Sequence, residues 1–271
     1  MAQDSGEDPA ALLELARAAA GEAARLVVER RPADLGVART KSSPTDVVTE
    51  MDTSAEKLIK QIIRESRPRD GFLAEEGGSE PGTSAVRWVV DPIDGSVNYL
   101  YGLQAWSVSI GVEVDGVTVA GVVAAPSYSE EYTALLGSGS WCNGQRLRIR
   151  PAVGLEDALV ATGFGYLAER RARQGQIVGA LLPRIRDIRR AGSAALDMCS
   201  VAAGRVDGYF ERGTQDWDRC AAALIAQEAG ALVGGLGGSP AGVPMVLAAA
   251  PGMFEALHDV LVELGADAED Y

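Results

Sequence analysis

Residues 88–99 read WVVDPIDGSVNY and place two carboxylates in a tight turn after an apolar run. The run Trp88–Val90 predicts a short buried strand. Pro92 has a fixed φ and no N–H to donate, so we expect the strand to end there. Gly95 and Ser96 then predict the start of a helix, whose free N–H groups favour an anion.

Two acids beside an anion site, Asp91 and Asp94, would repel a phosphate by themselves. Divalent cations between the acids and the phosphate would make the arrangement favourable. Glu75 and Glu76 end another apolar run, and Asp218 begins an apolar helix. Each of these acids alone is more often a helix cap or a loop residue. Together, each at the edge of an apolar element, they predict metal-dependent phosphate chemistry.

The composition excludes several classes of function. The chain has 271 residues, 47% of them hydrophobic, which is enough for one large domain or two smaller ones. Its formal net charge of −13, from 25 Lys and Arg against 38 Asp and Glu, disfavours binding to nucleic acid or anionic membranes. One local basic patch is present at Arg184, Arg186, Arg189 and Arg190, and we expect it to be a solvated face.

The single histidine, His258, removes Ser-His-Asp chemistry, Cys-His chemistry and most zinc sites from contention. Cys142, Cys199 and Cys220 have no paired spacing, so we expect free buried thiols in a reducing compartment. Residues 1–8 lack the features of a signal peptide, and no apolar run is long enough to span a bilayer. We therefore expect a cytoplasmic protein without a membrane partner, whose carboxylates and hydroxyls suit Mg²⁺.

Helical periodicity predicts two helices at the start of the chain. The first covers about residues 9–30, with Asp8 as its N-cap and a proline at its first position. The second is predicted to begin at a capping box formed by Thr53 and Glu56, with Asp52 just before the cap.

The rest of the chain shows two different patterns of predicted secondary structure. Sequential strands, with a hairpin signal at Asp115-Gly116, predict an antiparallel sheet in the first half. After about Pro151 strands alternate with helices, which is typical of an α/β unit. We expect an N-terminal α+β half, residues 1–152, with the antiparallel sheet and most metal ligands. A C-terminal α/β half, residues 153–271, would supply Asp218 and the substrate contacts.

Several motifs follow one another in a recognisable order. They are Asp46 to Thr49, Asp52, Glu75-Glu76, Asp91 to Ser96, Gly192 to Met198, Gly208 to Glu211, and Trp217-Asp218. In this order they resemble the inositol monophosphatase family of lithium-sensitive, magnesium-dependent phosphomonoesterases, most closely its bacterial inositol-1-monophosphatases. The resemblance covers about Leu12 to Leu264. It implies a five-layered αβαβα sandwich, usually a homodimer, with the site between the two halves.

The resemblance also implies a site for two to three Mg²⁺ ions. Glu75, Asp91 and the backbone carbonyl of Ile93 would hold the first ion. Asp91, Asp94 and Asp218 would hold the second, and Glu75 would contact a third, weaker ion through water. Because Asp91 would be shared, the first two ions would lie roughly 4 Å apart, as two-metal hydrolysis requires.

The catalytic residues implied by the resemblance are Asp52, Glu75 and Ser96. Ser96, hydrogen-bonded to Asp52 and with Glu75 nearby, would orient the attacking water and accept its proton. The Gly95 and Ser96 amides would hold the phosphate. The family usually has Thr at the position of Ser96, so the hydroxyl is retained and a methyl group is lost.

The alcohol part of the substrate would contact Asp94, Ala194, Glu211 and Asp218, with Glu211 reading the hydroxyls of a sugar ring. Glu211 could instead be a plain loop acid. Lys41 would lie on a mobile loop that closes over the metals, or be a solvated loop lysine.

The resulting hypothesis is Mg²⁺-dependent hydrolysis of inositol 1-phosphate. Histidinol phosphate, 3′-phosphoadenosine 5′-phosphate and fructose 1,6-bisphosphate are alternative substrates, although an acid at Glu211 suits a polyol better than a second phosphate, which would prefer arginines. A non-catalytic member that binds a partner is an alternative of another class. The retained acidic set argues against it, because a pure binding protein has no use for those groups.

Overall fold

A computed structural model describes residues 6–41, 43–44 and 46–268. The helices in these residues are α1 (Pro9–Glu29), α2 (Glu50–Ser66), α3 (Ser96–Leu100), α4 (Ala168–Leu181), α5 (Ala194–Ala202), α6 (Asp216–Glu228) and α7 (Met253–Glu263). The strands of the first half are β1 (Arg39–Thr40), β2 (Val47–Val48), β3 (Gly71–Ala74), β4 (Gly78–Glu80), β5 (Val86–Asp94), β6 (Ser107–Val114), β7 (Val117–Ala125), β8 (Glu130–Leu135), β9 (Gly139–Cys142) and β10 (Gln145–Arg146). Those that follow are β11 (Leu159–Thr162), β12 (Asp187–Arg189), β13 (Gly208–Glu211), β14 (Leu232–Gly234) and β15 (Val246–Ala249).

These elements form five layers. Eight strands make a sheet in the order β10-β9-β8-β7-β6-β5-β3-β4, antiparallel throughout except where β3 meets β5. Five strands make a second, mixed sheet in the order β12-β11-β13-β15-β14. Helices α1 and α2 cover the outer face of the first sheet, α5 and α6 lie between the sheets, and α4 and α7 cover the second. The predicted αβαβα sandwich is confirmed.

Two glycines allow α6 to pack closely against the first sheet. Gly111 of β6 faces Gly121 of β7 across the strand pair. A Cβ at Gly121 would lie 2.8 Å from the Ala221 carbonyl oxygen, and one at Gly111 would overlap the Cys220 side chain. Cys220 and Ala221 follow Asp218 by two and three residues in the same helix. Their contact with the sheet therefore also fixes the start of α6.

Helix α2 begins earlier than the sequence pattern predicted. Thr49 is its N-cap, and the Asp52 carboxylate accepts a hydrogen bond from the Thr49 N–H at 2.8 Å. The predicted capping box at Thr53 and Glu56 is therefore wrong. The Thr-x-x-acid pattern occurs twice in succession, and the helix uses the copy that directly follows β2. Asp52 consequently lies in the first turn of the helix.

Strand β5 runs through Pro92 and ends at Asp94, so the predicted end at Pro92 is wrong by two residues. Asp91 pairs with Ser109 and Asp94 with Ser107, with an irregular register between the two pairs. Pro92 lies within this irregularity, where its missing N–H interrupts no regular pairing. The irregularity leaves both acids at one end of the strand.

Other boundaries follow the sequence more closely. The hairpin at Asp115-Gly116 is confirmed, with a positive φ of 50° and 77° at the two residues. The glycine-rich segment 234–244 connects the short strand β14 to β15. Within the described ranges, none of the helices combines the length and the apolar character needed to cross a membrane.

Candidate functional site

A cavity of about 420 Å³ opens at the end of β5, beside the loops that follow β11, β12 and β13. Strand β11 is parallel to both β12 and β13, so the carboxyl ends of these three strands meet at one edge of the sheet. The predicted site residues that line the cavity are Glu75, Asp91, Ile93, Asp94, Gly95, Ser96, Ala194, Glu211 and Asp218. Asp52 does not line the cavity, but its carboxylate is hydrogen-bonded to Ser96, which does.

Three carboxylates converge at one wall of this cavity. Asp91, Asp94 and Asp218 each offer an oxygen atom that lies within 4.8 Å of the other two. Asp91 and Asp94 are buried, and Asp218 is half-buried. The irregular end of β5 supplies the first two residues and the first turn of α6 supplies the third, so residues distant in sequence meet in one cluster.

Backbone groups hold each carboxylate of the cluster in place. The Ile93 N–H donates to Asp91 Oδ1 at 3.0 Å, and the Gln215 N–H donates to Asp218 Oδ2 at 2.7 Å. Asp94 Oδ2 accepts hydrogen bonds from the Ser193 hydroxyl and from the first turn of α5. These bonds occupy one oxygen of each carboxylate and fix its direction.

The cluster carries unfavourable charge. Burial raises the pKa of Asp91 well above its usual range, and the charges of Glu75, Asp94 and Asp218 raise it further. Burial likewise raises the pKa of Asp218, with repulsion from neighbouring acids, and raises that of Asp94 to about 6. A divalent cation between the oxygens would remove this repulsion, and carboxylate oxygens are the ligands that hard cations such as Mg²⁺ take. The donor set therefore fits such an ion.

Glu75 borders the same cavity but lies outside the close group of three carboxylates. Its N–H donates to the Val90 carbonyl at 3.1 Å, which ties the end of β3 to β5. Its Oε1 lies 2.8 Å from Lys41 Nζ, and the same ammonium lies 2.6 Å from Glu76 Oε1. Burial raises the pKa of Glu75 to about 7, although the Lys41 charge opposes this rise.

The loop between β1 and β2 reaches one side of the cavity. Lys41 and Asp46 line the cavity, and Ser43 Oγ donates to the Tyr166 carbonyl oxygen at 3.0 Å. Ser42 and Thr45, in the polar loop that the sequence predicts around Lys41, lie outside the described residues. The loop thus contacts groups from both halves of the chain.

Ser96 and Asp52 form a buried hydrogen-bonded pair next to the cluster. Ser96 Oγ lies 2.6 Å from Asp52 Oδ1 and 2.9 Å from the Ile93 carbonyl oxygen, and its single proton can go to either acceptor. The Thr49 N–H and hydroxyl donate to Asp52 Oδ2 at 2.8 and 2.5 Å. Burial raises the pKa of Asp52, while these donors and Ser96 oppose the rise.

Glu211 lies across the cavity, at the end of β13. Tyr209 donates its hydroxyl to Glu211 Oε2 at 2.9 Å. Burial raises the pKa of Glu211 to about 7, and the Arg190 charge partly opposes this. A Cβ at Gly163 would overlap the Glu211 carboxylate, so the glycine leaves the space that the carboxylate occupies. Ala194, at the start of α5, borders the same side.

Sequence reasoning missed Gly163, Tyr166 and Arg170, which also line the cavity. They come from the loop after β11 and the start of α4, where nothing in the composition signals a site. Arg190, which was predicted to belong to a solvated basic patch, is exposed and also lines the cavity. Its neighbour Arg189 does point outward, where it pairs with Asp187 at 2.6 Å.

Comparisons with known proteins agree with this architecture. The sequence profile of the Inositol monophosphatase family matches residues 8–266. Inositol-1-monophosphatase SuhB of Mycobacterium tuberculosis (strain ATCC 25618 / H37Rv) is 44% identical over 275 aligned positions, covering 92% of this chain and 93% of that protein. Nus factor SuhB of Escherichia coli (strain K12) is 41% identical over 224 positions, covering 82% and 84%. The solved structure of Mycobacterium tuberculosis SuhB matches with a TM-score of 0.82 and 40% identity, covering 96% of this chain and 99% of that one. With a profile match over nearly its whole length and close relatives of the same fold, the chain belongs to the inositol monophosphatase family.

Proposed function

We propose that this protein hydrolyses phosphate monoesters with the help of Mg²⁺ and that inositol 1-phosphate is its substrate. The observation that carries the proposal is the convergence of Asp91, Asp94 and Asp218 within 4.8 Å, on the wall of a cavity that also contains Ser96. Membership of the family supports phosphatase chemistry. The name inositol-1-monophosphatase, given to a relative at 44% identity, supports the choice of alcohol.

Asp91, Asp94 and Asp218 would hold one Mg²⁺, and Glu75, Asp91 and the Ile93 carbonyl would hold another. When bound, such ions lower the pKa of a coordinated water and neutralise charge on the transferring phosphoryl group. The raised pKa values of these carboxyl groups mean that the ligands release protons as an ion binds. Two to three ions are expected, which a calorimetric titration with Mg²⁺ would count.

Ser96 and Asp52 would position the attacking water. Asp52 is fixed by two donors from Thr49, so it holds the Ser96 hydroxyl in one direction. With its proton directed at Asp52, the Ser96 oxygen is free to accept a hydrogen bond from the water. Glu75, which borders the same cavity, would accept the proton that the water releases.

The phosphate and the alcohol would bind at opposite sides of the cavity. The N–H groups of Gly95 and Ser96 would hold the phosphate at the turn after β5. Ala194 and Glu211 would contact the alcohol, with Asp94 and Asp218 between the two sides. A carboxylate held by Tyr209 suits hydroxyl donors of a polyol.

The substrate assignment is tested by phosphate release from four esters in Mg²⁺: inositol 1-phosphate, histidinol phosphate, 3′-phosphoadenosine 5′-phosphate and fructose 1,6-bisphosphate. We expect the highest kcat/KM for inositol 1-phosphate, and Glu211→Gln should reduce this preference. Glu169→Gln, an exposed position in α4 outside the cavity lining, is the matched control. Unchanged selectivity in the Glu211 variant would remove that residue from the substrate assignment.

A second candidate function, binding of a protein partner, is favoured by one observation: a relative at 41% identity is named a Nus factor. The test is an Asp91→Asn variant expressed in cells that lack the protein. Full retention of every cellular role would favour the partner-binding function over catalysis. Loss of the role together with phosphatase activity would favour the enzyme.

The proposal also takes the protein to be a cytoplasmic homodimer that lithium inhibits, as the family resemblance implies. Sedimentation equilibrium gives the oligomeric state, and a lithium titration of the phosphatase rate gives the inhibition. A monomer, or a rate that lithium leaves unchanged, would contradict the corresponding part.

A further inference from the structure

Helix α2 carries three buried charged side chains on one side. Asp52, Glu56 and Lys60 follow one another at intervals of four residues and are 0, 5 and 7% exposed. Asp52 is hydrogen-bonded to Ser96 and thereby belongs to the proposed mechanism. Burying the other two charges is costly unless each has partners, so their contacts indicate what they do.

Glu56 binds the turn that carries Glu75 and Glu76. Residues 75–77 form this turn, between β3 and β4. Glu56 Oε2 accepts a hydrogen bond from the Glu76 N–H at 2.8 Å, and the Glu75 N–H donates to the Val90 carbonyl at 3.1 Å. These two N–H groups belong to the peptide planes on either side of the Glu75 Cα. Holding both planes fixes the direction in which the Glu75 side chain leaves the backbone.

Lys60 holds the Glu56 carboxylate in place. Its ammonium lies 2.7 Å from Glu56 Oε1 and 2.8 Å from Glu80 Oε1 in β4. Gly77 leaves the space for this contact, because a Cβ there would overlap the Lys60 ammonium and lie 2.6 Å from Glu56 Oε1. Burial would lower the pKa of Lys60, but the hydrogen bonds to the two glutamates raise it above its usual value, so the ammonium is charged.

The pair formed by Glu56 and Lys60 contributes direction more than stability. A buried ion pair is a weak source of stability, because the cost of desolvation offsets the attraction between the charges. Here each oxygen of the Glu56 carboxylate has its own donor, the Lys60 ammonium on one and the Glu76 N–H on the other. The carboxylate therefore holds the turn in one position relative to α2.

We propose that Glu56 and Lys60 are positioning residues for one metal ion, the one that Glu75 would hold together with Asp91 and the Ile93 carbonyl. The inference rests on the proposed function, from which the assignment of this ion comes. The clustered aspartates that would hold the other ion are oriented by different donors, described above. The structure therefore predicts that changes at the pair affect one ion and spare the other.

Glu56→Gln tests the pair, because an amide has one acceptor oxygen where a carboxylate has two. The Lys60 ammonium and the Glu76 N–H then compete for that oxygen, and the charged donor forms the stronger bond. Calorimetric titration with Mg²⁺ should show about tenfold weaker binding of one ion and unchanged binding of the other. Glu75→Gln and Asp218→Asn identify the two ions, since each variant removes a ligand of only one of them.

The double variant Glu56→Gln/Lys60→Met should restore binding of the affected ion. Without the ammonium, the amide oxygen can again accept the Glu76 N–H. A merely structural role predicts the opposite, a double variant at least as impaired as the single one. Glu65→Gln, at an exposed position of α2, is the matched control and should bind both ions normally.

Gly77→Ala disturbs the same pair without changing any charge. The added methyl group would crowd the Lys60 ammonium and the Glu56 carboxylate, so the ion that Glu75 would hold should again bind more weakly than the other. This variant separates positioning from a long-range effect of charge, which would weaken both ions in Glu56→Gln and neither in Gly77→Ala.

Equal weakening of both ions in Glu56→Gln, unchanged binding of either ion, or failure of the double variant to recover would overturn the positioning role. Phosphate release decides the proposed function separately. If the protein binds both ions but hydrolyses no ester, the proposed function fails and the titration still decides the role of the pair. A titration in which no Mg²⁺ binds contradicts both.

Discussion

A Cβ at Gly163 would overlap the Glu211 carboxylate. Because glycine has no side chain, Glu211 can occupy the position from which it would contact the substrate. We expect Gly163→Ala to displace Glu211 and to raise the KM for inositol 1-phosphate about tenfold, with a smaller change in kcat. Gly175→Ala, in α4 with open space around it, is the control and should leave both constants unchanged. A Gly163 variant with an unaltered KM would show that Glu211 does not contact the substrate.

The Ser96 hydroxyl bridges Asp52 and the Ile93 carbonyl at 2.6 and 2.9 Å. Ser96→Ala removes the group that would orient the water, and we expect kcat to fall about 10²-fold while the melting temperature stays close to that of the unmodified protein. Ser96→Thr keeps the hydroxyl and should retain most activity. Comparable rates for the Ala and Thr variants would exclude this role for Ser96.

Single residues also show how far the sequence could predict the site. The acids that meet in the cluster lie in compact motifs, so their chemistry was visible before the fold. Gly163, Arg170 and Arg190 were not, because their positions in the cavity depend on parallel strands that bring separate loops to one edge. No local pattern encodes that convergence.

Among the elements, α6 couples packing to the site most directly. A Cβ at Gly121 would lie 2.8 Å from the Ala221 carbonyl oxygen, three residues after Asp218. We expect Gly121→Ala to push α6 away from β7, to lower the free energy of unfolding by about 1–3 kcal/mol, and to weaken metal binding. Urea denaturation and calorimetric Mg²⁺ titration measure the two effects.

The control for this change is Gly179→Ala, which adds a methyl group in open space on α4. It should be neutral or slightly stabilising. Loss of stability in the Gly121 variant with unchanged metal affinity would show that Asp218 is positioned independently of the contact between α6 and the sheet.

Element boundaries were less predictable than the elements themselves. The apolar run of α6 was evident, but the helix begins at Asp216, two residues earlier than predicted, behind the unusual N-cap Gln215. Pro92 predicted the end of β5, but the register shift between Asp91 and Asp94 accommodates the proline and the strand continues to Asp94. In α6 the Asp218 carboxylate accepts the Gln215 N–H, and in β5 the pairing with β6 continues to Asp94, so backbone groups are satisfied beyond the predicted boundaries.

For the molecule as a whole, the buried acids make stability depend on pH in a definite direction. Burial raises the pKa of both Glu75 and Glu211 from 4.5 to about 7. The folded state then binds protons more tightly than the unfolded chain, so this contribution to stability is full below about pH 4.5 and is lost as the pH rises towards 7. In EDTA the melting temperature should therefore fall between about pH 5 and about pH 8.

The variant Glu211→Gln isolates part of this effect. Without a charge to bury, it should be more stable than the unmodified protein at about pH 8 in EDTA, with the gain shrinking at about pH 5. Mg²⁺ should flatten the pH dependence of the unmodified protein, because the ion replaces protons at the cluster. A melting temperature that rises steadily from pH 5 to pH 8 in EDTA would contradict the raised pKa values.

The layered fold could be named from the sequence only through the resemblance, because strand counts do not give the order of strands in a sheet. The order β12-β11-β13-β15-β14, with one parallel group, is set by packing between layers. The alternation of strands and helices after residue 151 did predict an α/β unit, and the structure has one there.

The most direct test of the central claim is phosphate release from inositol 1-phosphate by the protein in Mg²⁺, after EDTA, and after Mg²⁺ is restored, beside Asp91→Asn. We predict turnover that EDTA abolishes and Mg²⁺ restores. We predict no measurable turnover by the Asp91 variant, whose carboxylate would be shared between two ions. Turnover that persists in EDTA, or an Asp91→Asn variant as active as the unmodified protein, would contradict a metal-dependent phosphatase built on this cluster.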